Sequence, residues 1–197
     1  PSYPWELPQQ MERLFLTPSA LHRRIEPYKR MLGILLRPTC VSISISNQYL
    51  TLAEPVGAFL LRNDRVPERT FVRILKPYIG EMSGVVLGSE SYPEYRDLIA
   101  APPAAETLYQ VHMVLHSVFP GLPYTWWDRW TPDTPASCRI ETSPPVGALG
   151  GLKRQPISSS GPSSGSTLNS GGGAPCSMGT LFLQHYLDNL GTLNTFG

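Results

Sequence analysis

The run Val41-Ser-Ile-Ser-Ile-Ser46 alternates apolar and polar residues with period two, so it can bury one continuous face only as a β-strand. Met31 to Leu36 is a second β-compatible run, and Arg37-Pro38-Thr39 between the two is short enough for a hairpin. The alternation predicts Val41, Ile43 and Ile45 on the core face and Ser42, Ser44 and Ser46 on the other, a half-buried antiparallel strand. Asn47-Gln48 can turn the chain, and Tyr49 to Ala53 with Val56 to Leu61 can supply a third strand, broken at Pro55. The domain therefore opens with a three-strand meander.

Beyond Asn63-Asp64 the periodicity changes. Phe71, Ile74, Leu75 and Tyr78 recur at three and four, which predicts a helix over 67–79 with one buried stripe and Gly80 as its stop. "SGVVLGSE" is a short apolar run between glycines, as suits a strand buried on both faces. A helix is predicted over 104–119, a strand over "LPYTWW" at 122–127, and a last helix over 176–191 ending at Gly191. The order is β-β-β-α-β-α-β-loop-α, an α/β fold with a mixed five-stranded sheet.

Two segments stand outside this order. Residues 1–30 carry five prolines and read as an N-terminal extension, with helical pieces over 9–16 and 19–25 and Ser19 as a possible cap. Residues 131–175 lose all periodicity and contain "SSSGPSSGSTLNSGGG", which is too poor in apolar residues to offset its chain entropy, so a flexible insertion is expected there. The core is then 31–130 together with the helix and tail of 176–197. A chain of 197 residues accommodates one such core, and its 21 prolines and 17 glycines suit the irregular remainder.

Charge and cysteine content narrow the function classes. A formal net charge of +1 excludes nucleic-acid binding by global electrostatics, so any such binding needs a local basic patch. The candidates are Arg23, Arg24, Lys29 and Arg30 in the extension, Arg37 in the hairpin, Arg129, and Lys153 with Arg154 in the insertion. Cys40, Cys138 and Cys176 are far apart in sequence, which argues for a reducing compartment and against a disulfide framework or zinc cluster. No run reaches the roughly 18 to 20 apolar residues of a membrane span. The start at Pro1 fits removal of a targeting segment, and fits a shortened chain equally.

Four stretches together resemble one family. "LGILLRPTCVSISISN" (32–47) aligns without gaps on the pattern LGxDxGxxRIGVAxSD, and "GVVLG" (84–88) falls where a buried strand ends VVG. "LPYTWWDRWT" (122–131) is similar to LPVxxxDERLT, and "CSMGTLFLQHYLD" (176–188) to a last helix DSxAAxxxLQxYL. "GGLKRQ" (150–155) stands where that pattern has a glycine and a basic run. The chain thus resembles the YqgF/RuvX family of the ribonuclease H-like superfamily, Holliday-junction resolvases also linked to maturation of small-subunit ribosomal RNA. The resemblance spans most of 31–190 and implies a ribonuclease H-like fold.

It also implies a chemistry that the residues do not support. Nucleases of this fold hold divalent cations between converging carboxylates, which activate water and stabilise the pentacovalent phosphorus. The first-strand aspartate falls on Leu35, the acidic position of DERLT on Asp128, and the last-helix aspartate on Pro175 or Cys176. The glycine after the first aspartate is replaced by Arg37. The resemblance therefore implies a pseudo-nuclease without metal or cofactor, whose vestigial positions are Leu35, Asp128 and Pro175. Its expected role is structural or rRNA-contacting, beside other protein subunits of a large organellar assembly, with a mitochondrial ribosome as the leading home and a plastid as the alternative. Two other readings stay open: an active structure-specific nuclease with ligands moved to Asp128, Glu90 and Glu94, and an accessory subunit of a respiratory complex that touches no nucleic acid. Two further groups stand out: His112 with His116, at zinc-chelating spacing but without a third ligand nearby in sequence, and Trp126, Trp127 and Trp130, which suit either base stacking or burial.

Overall fold

The computed structural model describes residues 13–131 and 173–193. Their elements are β1 (Phe15–Leu16), α1 (Pro18–His22), β2 (Arg30–Leu36), β3 (Cys40–Ser46), β4 (Ala53–Leu60), α2 (Glu68–Leu75), a 3-10 turn (Lys76–Tyr78), β5 (Met82–Ser89), α3 (Tyr95–Ala100), α4 (Pro102–Val118), β6 (Tyr124–Trp126) and α5 (Gly173–Leu193). The strands form one mixed sheet in the order β1-β6-β5-β2-β3-β4. β2, β3 and β4 pair antiparallel as the meander, while β5 adds to β2, β6 to β5 and β1 to β6 in parallel.

The sheet has six strands where five were expected. The sixth, β1, comes from the segment read as an extension: Phe15 and Leu16, predicted to end a helix, pair with Tyr124 and Thr125 of β6. Only two residues long, β1 leaves no periodicity to detect. The helix that follows is capped by Thr17 rather than Ser19. The Thr17 hydroxyl accepts from the Ala20 amide at 3.2 Å, and Pro18 fills the first helical turn, where a missing N–H costs nothing. Pro55 does not break β4. A register irregularity between Ile43 and Ser44 accommodates it, and β4 is an edge strand, where proline is tolerated. The insertion expected over 131–175 lies largely outside the described residues, although α5 begins at Gly173 rather than Cys176.

Strand alternation divides the core between the two faces of the sheet. Leu32, Ile34 and Leu36 point with Val41, Ile43 and Ile45 toward α2, α3 and α4, whose Phe71, Leu75, Leu98, Leu108 and Val111 complete that layer. Met31, Leu35 and Val86 point to the opposite face, where Phe182, Leu183, Tyr186 and Leu187 of α5 and Leu21 of α1 cover them.

The second face of β3, expected to be polar and outside the core, is covered as well. Ser42, Ser44 and Ser46 are not solvated; all three are wholly buried beneath α5. Small residues let the helix backbone approach the sheet, and their hydroxyls find partners there. Ser44 donates to the Gly179 carbonyl at 2.9 Å, and Ser46 accepts from the Met31 amide at 2.8 Å. Gln184 of α5 adds a clamp on the end of β4, accepting from the Ala53 amide at 2.8 Å and donating to the Thr51 carbonyl at 3.1 Å.

Gly179 sits at the closest approach, where an added Cβ would lie 2.8 Å from Ser42 Cβ and 3.3 Å from its backbone carbon. Gly179→Ala gains about 1 kcal/mol of helix propensity, yet it pushes α5 off β3. Net destabilisation of about 1–3 kcal/mol is expected in urea unfolding. A more stable variant would show that the helix does not rest there.

Candidate functional site

The carboxyl ends of β2, β5 and β6 lie side by side, and between β2 and β5 the chain changes direction across the sheet. Such a switch point is where open α/β sheets place ligands. Leu35 lies at this end of β2, wholly buried on the α5 face. It belongs to the same buried cluster as Val86, Trp127, Trp130, Phe182 and Leu183. The Phe182 ring presses so closely on β5 that a Cβ on Gly88 would stand 2.3 Å from its Cε2, and Trp130 meets the same ring edge-on at 5.7 Å between centroids.

Catalytic nucleases of the ribonuclease H-like type would hold a divalent cation at the position matched by Leu35, and the lining here does not fit one. A hard cation needs anionic or strongly polar oxygens. This cluster supplies methyl groups and aromatic carbon, and its Tyr186 phenol is held neutral because burial raises its pKa. Among the described residues no three His, Cys, Asp or Glu side chains converge on a point where a metal ion could sit. Neither Asp128, Glu90 and Glu94 nor His112 and His116 belong to such a group. Pro175 falls in the first turn of α5, and its side chain lies outside the described residues.

On the opposite face the same strand ends carry an ion pair. Arg37 donates through Nε to Glu90 at 2.6 Å and through a terminal nitrogen to its other oxygen at 3.3 Å. The hydrogen bond to Glu90 raises the Arg37 pKa above its ordinary value. Beside them is a cavity of about 270 Å³ whose polar lining includes Arg37, Ser89, Ser91 and Thr107. Arg37 is thus a structural partner of β5, with both carboxylate oxygens of Glu90 already engaged.

Among the described residues, the cations singled out from sequence do not form one surface. Arg23 and Arg24 are exposed, with Arg24 near the amino ends of the parallel strands. There Lys29 is spent on the Gly80 carbonyl and Arg30 on Glu81 at 3.5 Å. Arg30 and Arg37 bracket β2 and so stand about 23 Å apart along the strand. Arg129 lies over the Trp127 ring at 5.6 Å, beside an exposed Asp128. Lys153 and Arg154 lie outside the described residues.

The tryptophans are core residues and are closed to base stacking. Trp126 donates to the Pro93 carbonyl at 2.6 Å and Trp127 to His185 Nδ1 at 2.9 Å, and all three indoles are buried. His112 is also buried, its ring 4.5 Å from that of Tyr124, and desolvation lowers its pKa to about 4.

Sequence reasoning missed a larger basic group. Arg62, Arg65, Arg69, Arg73 and Lys76 are all exposed and follow one another at intervals of three and four through the turn before α2, α2 itself and the 3-10 turn. The same periodicity that revealed the apolar stripe of this segment, applied to its cations, would have found them.

A scan of protein-family models finds no match to the chain, and a sequence search of curated proteins finds none.

Proposed function

We propose that this chain is a non-catalytic, ribonuclease H-like subunit of the YqgF/RuvX type, with a structural and rRNA-contacting role in a large organellar assembly. A mitochondrial ribosome is the leading home for it. The observation that carries the reading is Leu35. The position matched to the first catalytic carboxylate holds a wholly buried leucine, paired across the strands with Gly88, on which the Phe182 ring presses. Supporting it are the antiparallel meander followed by parallel strands and a last helix packed across the central strands, the layout from which the resemblance starts. A scaffold so filled keeps its shape and loses its chemistry.

Crosslinking of the native protein in its organelle, with identification of both RNA and protein neighbours, tests the proposal. Expected are ribosomal RNA and several proteins of one particle. A protein that migrates alone, or has only protein neighbours in a respiratory complex, contradicts it.

A further inference from the structure

We infer that the outer face of α2, with the turn that precedes it, is a docking ridge for the sugar-phosphate backbone of RNA. The inference rests on the RNA-contacting role proposed above and locates the contact away from the residues matched to the family.

Residues 62–76 hold five basic and two acidic residues, a local net charge of +3 in a chain whose total is +1. The rest of the protein is therefore net negative, and a polyanion would approach by this segment. Helix geometry sorts the charges: Arg69, Arg73 and Lys76 fall within about 60° of arc, while Phe71 and Leu75 turn into the core on the opposite side. No exposed apolar residue accompanies the cations on that arc, so the face is unsuited to inserting into a lipid surface.

The turn concentrates more charge. Asn63 and Asp64 have φ of 51° and 59°, the left-handed conformation that a two-residue hairpin turn demands. Arg62 and Arg65 consequently exchange backbone hydrogen bonds at 3.1 Å and stand directly opposite each other. Like charges so placed repel, and they lie near the amino end of α2, where its dipole also disfavours cations. The arrangement is held in place: Thr107 donates to the Asp64 carbonyl at 3.3 Å, and Gln110 accepts from the Val66 amide at 2.8 Å. An anion laid along the ridge would relieve both sources of repulsion without reorganising it.

A phosphate backbone fits better than an acidic peptide. Four of the five cations are arginines, whose planar fork pairs with phosphate through two parallel hydrogen bonds. α2 and the 3-10 turn together run about 18 Å, long enough to face several of the regularly spaced phosphates of a nucleic-acid strand. Cations recurring at each turn over that length match a regular polyanion.

The test is equilibrium binding of the full chain to a structured RNA hairpin across a salt series, with poly-glutamate as a second probe. Wild type should bind the RNA with a log K against log salt slope of about −3.5 to −4.5. Arg69→Gln with Arg73→Gln should weaken binding about tenfold and reduce the slope by about 1.5, whereas Arg69→Lys with Arg73→Lys should retain the slope. Arg23→Gln with Arg24→Gln should change affinity less than twofold. RNA binding that survives neutralisation of Arg69 and Arg73 overturns the ridge and leaves the RNA-contacting role standing. Failure of wild type to bind RNA, or tighter binding to poly-glutamate, overturns both.

Discussion

Replacing Leu35 by aspartate is expected to destabilise the fold by about 4 kcal/mol or more and to leave the protein unresponsive to magnesium. The substitution restores the residue that the family pattern has at this position, but not the surroundings that would make it a ligand. The new carboxyl group would enter an apolar and aromatic cluster that contains Val86, Trp127, Trp130, Phe182 and Leu183. It can remain there only by taking up a proton or by opening the contact between α5 and the sheet. Domains of this size have about 5–15 kcal/mol in total, so the variant should unfold at much lower urea and lose less at acid pH. Millimolar Mg²⁺ or Mn²⁺ should not raise its unfolding temperature. A folded variant stabilised by several degrees on adding metal would mean that the cation site persists beneath the aromatic side chains.

The second large effect concerns pH. His112 lines a small apolar cavity with Leu14, Val85, Leu115, Phe119 and Tyr124, and His116 of the same helix shares it. Its Nε2 is buried without a hydrogen-bond partner, so the neutral ring is strongly favoured and the folded pKa is lowered from 6.5 to about 4. A depressed histidine pKa means that the unfolded chain takes up the proton first as pH falls. Stability is therefore full above about pH 6.5 and declines as the pH drops toward 4. The loss amounts to about 2 kcal/mol by pH 5 and about 3 kcal/mol by pH 4. His185 is lowered by burial too, opposed by Asp188, and acts in the same direction. His112→Leu should remove most of this acid sensitivity while changing stability at pH 7.5 by no more than about 1 kcal/mol, since the unpartnered nitrogen it deletes contributes no hydrogen bond there. Urea unfolding at pH 7.5 and 5.0 for both proteins checks it, and an unaltered pH dependence would show that another group titrates.

The parts of the fold that could be read from sequence are those whose burial leaves a period. The β3 alternation, the α2 stripe and the apolar run of β5 each predicted their element, and the last two also predicted the faces that are buried. What could not be read depends on partners distant in sequence. Whether Ser42, Ser44 and Ser46 face water or a helix is decided by Gly179 and Gln184, more than a hundred residues away, so their burial left no local sign. β1 and α3 are too short for periodicity, and Arg37 looked available because Glu90 lies on another strand end. The candidate site divided in the same way. Leu35 was visible at once as an apolar residue at the position matched to an aspartate, whereas its burial in one cluster with Phe182 and Trp130 needed three dimensions. The α2 cations were visible throughout but interrupted by Pro67 and a turn, and a cluster judged by adjacency conceals a ridge built by periodicity.

Cleavage tests the central claim most directly: purified protein incubated with branched DNA and with structured precursor rRNA in Mg²⁺ and in Mn²⁺, beside an Asp128→Asn variant. With Leu35 wholly buried in an apolar cluster, wild type and variant should both leave every substrate intact. Metal-dependent cutting by wild type that is abolished in Asp128→Asn would contradict the account, because it would show a working carboxylate site on this scaffold.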